Sequence, residues 1–173
     1  MKKIAVIYKS KYGATKRYAE WIAETLEASL FEASSVNSSQ LTEYDIVIYG
    51  GGLYASGISG VKLVTKNPCK SLVVFTVGLA DPKITDYSEI LSRTFTAEQL
   101  LKIKVFHWRG SMDYSKLSLI DKGLMSMVKK QAEKKPPAER TSDDQGVIET
   151  YGKIVDFTDK AVITHLIEYV RGL

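Results

Sequence analysis

The chain has 173 residues, 45% of them hydrophobic and 25% charged, enough for one domain with a packed core and too few for two. No apolar run reaches the length of a bilayer span, and Lys9 and Lys11 cut short the one that begins at Ile4, so neither a spanning helix nor a leader peptide is expected and the location expected is cytoplasmic. A single cysteine, Cys69, excludes an internal disulfide or a CxxC pair, and two histidines, His107 and His165, leave too few ligands for a zinc site.

Five strand-like segments alternate with helical ones. Residues 3–8 form a near-continuous apolar run, as in a strand buried on both faces. Residues 15–28 then place Tyr18, Trp21, Ile22, Thr25 and Leu26 on one helical face. Residues 29–36 read as a weaker strand and 37–43 as a loop. A third strand spans 45–49 and ends at Gly50-Gly51-Gly52; a short helix is expected around 60–66. The fourth strand, 71–77, ends at Gly78. Residues 85–101 read as helix with a break near Phe95-Thr96, 103–108 as the fifth strand, and 154–170 as a closing amphipathic helix. This alternation predicts a three-layer α/β domain around a parallel sheet, with ligands bound beyond the C-terminal strand ends.

One segment breaks the rhythm. Residues 111–149 follow the fifth strand and are read as an insertion within a single domain, 1–173. It holds a helical stretch at 115–133 and a breaker-rich linker at 134–146 with Pro136-Pro137. Ten basic and four acidic residues fall within 101–140, a net of +6, which leaves −2 for the remainder of this +4 chain. That asymmetry bears on partners.

The first strand end carries Ser10, Lys11, Tyr12, Gly13, Ala14 and Thr15. There is no GxxxxGK[ST] and no GxGxxG here, which excludes the usual nucleoside-triphosphate and dinucleotide loops. A receiver domain needs acids after the first strand and an aspartate after the third; Lys9-Ser10-Lys11 and Gly50-Gly51 stand there instead. Two readings remain. Hydroxyls at both ends and a glycine between can wrap a terminal phosphate at a helix N-terminus. Alternatively, the segment is a plain strand-to-helix turn with Thr15 near the N-cap.

This stretch resembles the FMN phosphate loop of flavodoxins, and the likeness covers nearly the whole chain. It implies a flavodoxin-like three-layer sandwich with a five-stranded parallel sheet in the order 2-1-3-4-5. It also implies FMN held by residues 10–15. Tyr12 and Ala14 depart from the family pattern, which has threonine and often asparagine there. In the second loop the resemblance implies that Leu53 and Tyr54 cover the flavin ring and that Ala55, Ser56 and Gly57 present backbone groups to it. In the third loop it implies that Thr76, Val77, Gly78, Leu79, Ala80 and Asp81 line the other edge, Asp81 alternatively capping the turn before Pro82.

Within the flavodoxins, the basic and methionine-rich stretch after the fifth strand is similar to the insert of the flavodoxin-like menaquinone-dependent protoporphyrinogen dehydrogenases. Gly110, Tyr114 and Asp121 carry that likeness, with Val77-Gly78-Leu79. It implies an oxidoreductase working between a protoporphyrinogen-like substrate and a quinone, and no catalytic acid or base is transferred. Two alternatives stay open: a one-electron carrier serving protein donors or acceptors, and a non-enzymatic α/β module. The partners expected are a small redox substrate or a protein, with quinone and an anionic membrane surface met through 114–135; no nucleic acid and no metal are expected. Leu117, Ile120, Leu124, Met127 and Val128 recur there at helical spacing, flanked by Lys116, Lys122, Lys129 and Lys130.

Overall fold

The computed structural model describes residues 2–54 and 57–173. Strand β1 (Ile4–Lys9) leads into helix α1 (Ala14–Leu26) and strand β2 (Ser29–Glu32). After two 3₁₀ turns come β3 (Ile46–Tyr54), β4 (Gly57–Ile58), α2 (Lys62–Thr65) and β5 (Leu72–Gly78). Helices α3 (Ser88–Thr94) and α4 (Ala97–Lys102) precede β6 (Lys104–Arg109). The insert contributes β7 (Ser111–Asp113), α5 (Leu119–Lys134), α6 (Ser142–Thr150) and β8 (Ile154–Asp156), and α7 (Thr164–Gly172) closes the chain.

The sheet runs β2-β1-β3-β5-β6, all parallel, with β4 folded back antiparallel on β3. With the short β4 set aside, this is the expected order 2-1-3-4-5 and a flavodoxin-like sandwich. Alternation along the strands makes two cores. Val6, Ile48, Phe75 and Trp108 face α1 and α7, meeting Tyr18, Ile22, Leu166 and Val170. Ala5, Ile7, Val47, Tyr49 and Val74 face the other side, meeting Leu41, Val64 and Phe95. Both faces are covered, which is why the central strands read as continuous apolar runs.

Three segments differ from expectation. β3 does not stop at the triple glycine but carries Gly50, Gly51 and Gly52 as paired strand residues between β1 and β5. A Cβ on Gly50 would lie 2.1 Å from Phe75 Cζ, and one on Gly51 would lie 2.8 Å from the Ser59 carbonyl oxygen. These glycines serve close approach inside a strand, not loop flexibility. Residues 154–156, read as the start of the last helix, are instead β8, paired with β7 (Met112 opposite Val155). A three-residue strand looks like helix to apolar spacing because its pairing partner is more than 40 residues away in sequence. Part of the expected linker is also helical: Thr141 caps α6 through Asp144 N–H, with the Asp144 carboxylate returning to Thr141 N–H at 2.8 Å. The Thr-x-x-Asp spacing carried that signal. The break expected near Phe95-Thr96 separates α3 from α4, where Thr96 and Gln99 form another capping box.

Candidate functional site

The ends of β1, β3 and β5 meet at one edge of the sheet, as their register requires: Lys9 lies opposite Gly51, and Gly52 opposite Val77. In the first loop Gly13 has φ +97°, the left-handed region that suits glycine. Its N–H donates to Ser10 Oγ at 3.1 Å, which leaves the Ser10 hydroxyl proton free to donate outward. Gly13 is the N-cap of α1, so Thr15 is not; its carbonyl starts the helix by accepting from Arg17 N–H at 3.0 Å. No side chain caps this end and the first turn holds no acid. The N–H groups of Ala14, Thr15 and Lys16 therefore have no intrahelical acceptor. Donors unspent at a helix start, with no carboxylate in the turn, are the make-up of an anion cradle.

The second loop folds back on itself. Leu53 pairs with Ile58 and Tyr54 with Gly57, which has φ +116°. Tyr49 OH donates to the Ser59 carbonyl at 2.7 Å and holds this turn down. Tyr54 is 42% exposed, with its ring lying over Gly52 and its hydroxyl within electrostatic reach of Lys11. Burial nonetheless pushes the Tyr54 phenol up, so it stays protonated. Ala55 and Ser56 lie outside the described residues. Leu53 touches the third strand end: a Cβ on Gly78 would sit 3.4 Å from the Leu53 side chain.

The third loop divides. Thr76 and Val77 are buried. The Thr76 hydroxyl is 2.6 Å from His107 Nδ1, and the His107 ring stacks on Tyr87 at 3.7 Å and 7°. The Thr76 hydroxyl is thus spent on His107 and the Val77 side chain on the core, which leaves only their backbone groups to meet a ligand. Gly78 O accepts from Gly110 N–H at 2.7 Å, and Leu79 O accepts from Arg109 Nε at 3.0 Å. Arg109 lies 3.6 Å over the Phe157 ring. Asp81 caps the turn at Pro82: its Oδ1 accepts from Lys83 N–H at 2.9 Å. Arg109 and Gly110 are residues of this edge that sequence reasoning did not single out as site residues. Gly110 had a signal, in the likeness of the insert, while Arg109 had none short of tertiary contacts.

The insert crosses this edge. At one end, Asp121 in the first turn of α5 accepts from Tyr12 OH and sits 2.6 Å from Lys11 Nζ. At the other, Ser142 Oγ is 2.9 Å from Thr85 Oγ1, and a Cβ on Gly146 of α6 would lie 4.0 Å from Ala80 Cα. The apolar stripe expected on α5 splits. Leu117 and Ala132 are buried, whereas Leu119 is 88%, Ile120 77%, Leu124 50% and Met127 51% exposed. Among the described residues no helix is long and apolar enough to cross a membrane.

Two titrating groups bear on stability. Burial lowers His107 to about 4 and raises the Cys69 thiol to about 11, so Cys69 is a poor nucleophile at neutral pH. Folded His107 stays neutral down to about pH 4, while the unfolded imidazole takes up a proton near 6.5. The stability that neutral His107 contributes above pH 6.5 is therefore expected to fade as pH falls from 6.5 to 4. In urea unfolding across that range, His107→Gln should flatten the decline; an unchanged slope would refute the assignment.

Residues 5–139 match the family model described as flavodoxin domain. Solved structures similar to this chain include the oxidised flavodoxin 1 of Bacillus cereus, 18% identical over 62% of this chain and 84% of that chain, with a TM-score of 0.43. The two-electron reduced flavodoxin of Megasphaera elsdenii is 12% identical over 60% and 84%, with a TM-score of 0.44. The Trp repressor binding protein of Bacillus subtilis is 20% identical over 64% and 85%, with a TM-score of 0.46. No curated protein matches the chain. With 5–139 matched, well over half its length, the chain belongs to the flavodoxin domain family.

Proposed function

We propose that this chain binds FMN through Ser10–Thr15 and acts as an oxidoreductase between a protoporphyrinogen-like organic substrate and a quinone. The observation that carries the flavin reading is the first loop, where the free N–H groups of α1 stand beside the hydroxyls of Ser10 and Thr15 with no acid in the turn. Those residues would hold the phosphate. Leu53 and Tyr54 would cover the ring, and the backbone of Gly57 and of Gly78–Asp81 would meet its edges. When bound, FMN supplies reversible uptake and release of electrons; the chain supplies orientation and access.

The enzyme reading is preferred to the carrier because the insert reaches the first loop through Asp121 and, through Ser142, Thr85, whose hydroxyl donates to the Asp81 carbonyl at the end of the third. A carrier needs only an open flavin edge, whereas a substrate oxidase needs a wall. Protein loaded with FMN and desalted should remain yellow. A colourless product would leave the non-enzymatic module. Anaerobic bleaching by a porphyrinogen and recolouring by a quinone is the result expected; bleaching only by a reduced protein donor would favour the carrier.

The exposed Ile120, Leu124 and Met127, with Lys116, Lys130 and Lys134 exposed nearby, support docking of α5 on an anionic membrane surface. Each lysine at such a surface adds roughly 1 kcal/mol of attraction. Salt-sensitive binding to anionic liposomes is expected, lost in the double variant Ile120→Glu, Leu124→Glu. Binding that survives those changes would count against the helix as the docking element.

A further inference from the structure

Tyr12 stands where the first loop departs from the flavodoxin pattern, and the structure shows where its hydroxyl goes. It donates to Asp121 Oδ2, 109 residues away in α5. Lys11 Nζ lies 2.6 Å from the same oxygen. Ser118, the N-cap of α5, donates its N–H toward Tyr12 OH at 3.5 Å and receives Asp121 N–H on its own Oγ at 3.1 Å. Two adjacent residues of the anion loop and the first turn of the insert's long helix thus share one carboxylate oxygen. Beyond this seat α5 packs along α6 of the same insert, with Lys129 over the Tyr151 ring at 4.8 Å, while Ile120, Leu124 and Met127 face outward.

We propose that Asp121 is a positioning residue that seats the insert on the phosphate loop, and that an anion in the loop competes with it for Lys11. Loop occupancy and insert position are then two ends of one equilibrium. The proposal rests on the reading of residues 10–15 as a phosphate cradle. The sign follows from charge. A carboxylate and a phosphate dianion drawing on one ammonium repel each other, so each weakens the other's hold. By linkage the effect is reciprocal: phosphate loosens α5, and removing the carboxylate tightens phosphate. An ordinary tether would change stability alone and leave the ratio of FMN to riboflavin affinity untouched. Asp121 is itself held well below the usual carboxylate range, to about 2, first by the Lys11 hydrogen bond and then by that of Tyr12. The seat is therefore charged throughout the working pH range.

The test uses the full chain. In flavin-free protein, Asp121→Asn should speed amide exchange across α5 about tenfold, the loss of one hydrogen bond to a charged group. The same variant should bind FMN a few-fold more tightly, on the order of 3- to 10-fold, by flavin fluorescence, with riboflavin unchanged. Asp121→Glu, which keeps the charge, should reverse both effects. Tyr12→Phe removes one leg of the seat and serves if Asp121→Asn does not fold; it should also speed α5 exchange. Weaker FMN binding in Asp121→Asn, or faster exchange with an unchanged FMN-to-riboflavin ratio, would overturn the competition. Unchanged exchange would overturn the seat. If no flavin binds at all, the cofactor reading fails, and inorganic phosphate against chloride at matched ionic strength then tests the competition. Phosphate should loosen α5 in the parent chain and not in Asp121→Asn; equal exchange in both salts overturns it.

Discussion

Gly50→Ala is expected to destabilise the protein by about 3 kcal/mol, seen as a fall in the urea midpoint at constant slope. The new Cβ would lie 2.1, 2.5 and 2.6 Å from three atoms of the Phe75 ring. Phe75 is fully buried and stacked on Trp108 at 5.1 Å, and Trp108 in turn lies 5.0 Å from Tyr18. The ring has no free direction in which to yield. Backbone must shift instead, and β3 carries Leu53 and Tyr54 at its far end. The second loop should therefore lose order along with stability. Shrinking the obstacle gives a check on the cause: Phe75→Leu, harmful alone, should cost less in the presence of Gly50→Ala, a favourable coupling in a double-mutant cycle. A loss below 1 kcal/mol would mean that the sheet yields more easily than close packing allows.

Thr15→Ala is expected to weaken FMN by about 1.5–3 kcal/mol, or roughly 10- to 100-fold, and riboflavin very little. Thr15 is only 4% exposed and caps nothing, since Gly13 holds the N-cap position. On the proposed reading its hydroxyl would add to the unspent N–H groups of α1 as a donor to the phosphate, which riboflavin lacks. Titration of the apoprotein with each flavin measures the ratio. Equal weakening of the two would show that the phosphate lies elsewhere. The sign of this effect separates Thr15 from Asp121, whose removal is expected to tighten FMN.

The sequence alone determined the layers and the three strand ends that meet at one edge of the sheet, and the resemblance to flavodoxins supplied the strand order. The layers rest on local signals: apolar runs at 3–8, 45–49 and 71–77, helical spacing from Tyr18 to Leu26, and glycines read as marking strand ends. The hydroxyl–glycine–hydroxyl pattern of residues 10–15 was legible in the same way, because it is made of consecutive residues between a strand and a helix. What the tertiary structure decided depends on contacts far apart in the chain. The triple glycine is strand because Phe75 and Ser59 press on it, and neither is adjacent in sequence. β8 is a strand because β7 pairs with it across the insert. Thr76, grouped with the ligand loop by its position, turns to His107 because alternate residues of a strand face opposite sides of a sheet. Tyr12 read as a missing donor, and only the fold shows its hydroxyl engaged by Asp121. Local periodicity reports which face of an element is apolar; it does not report which distant residue meets that face.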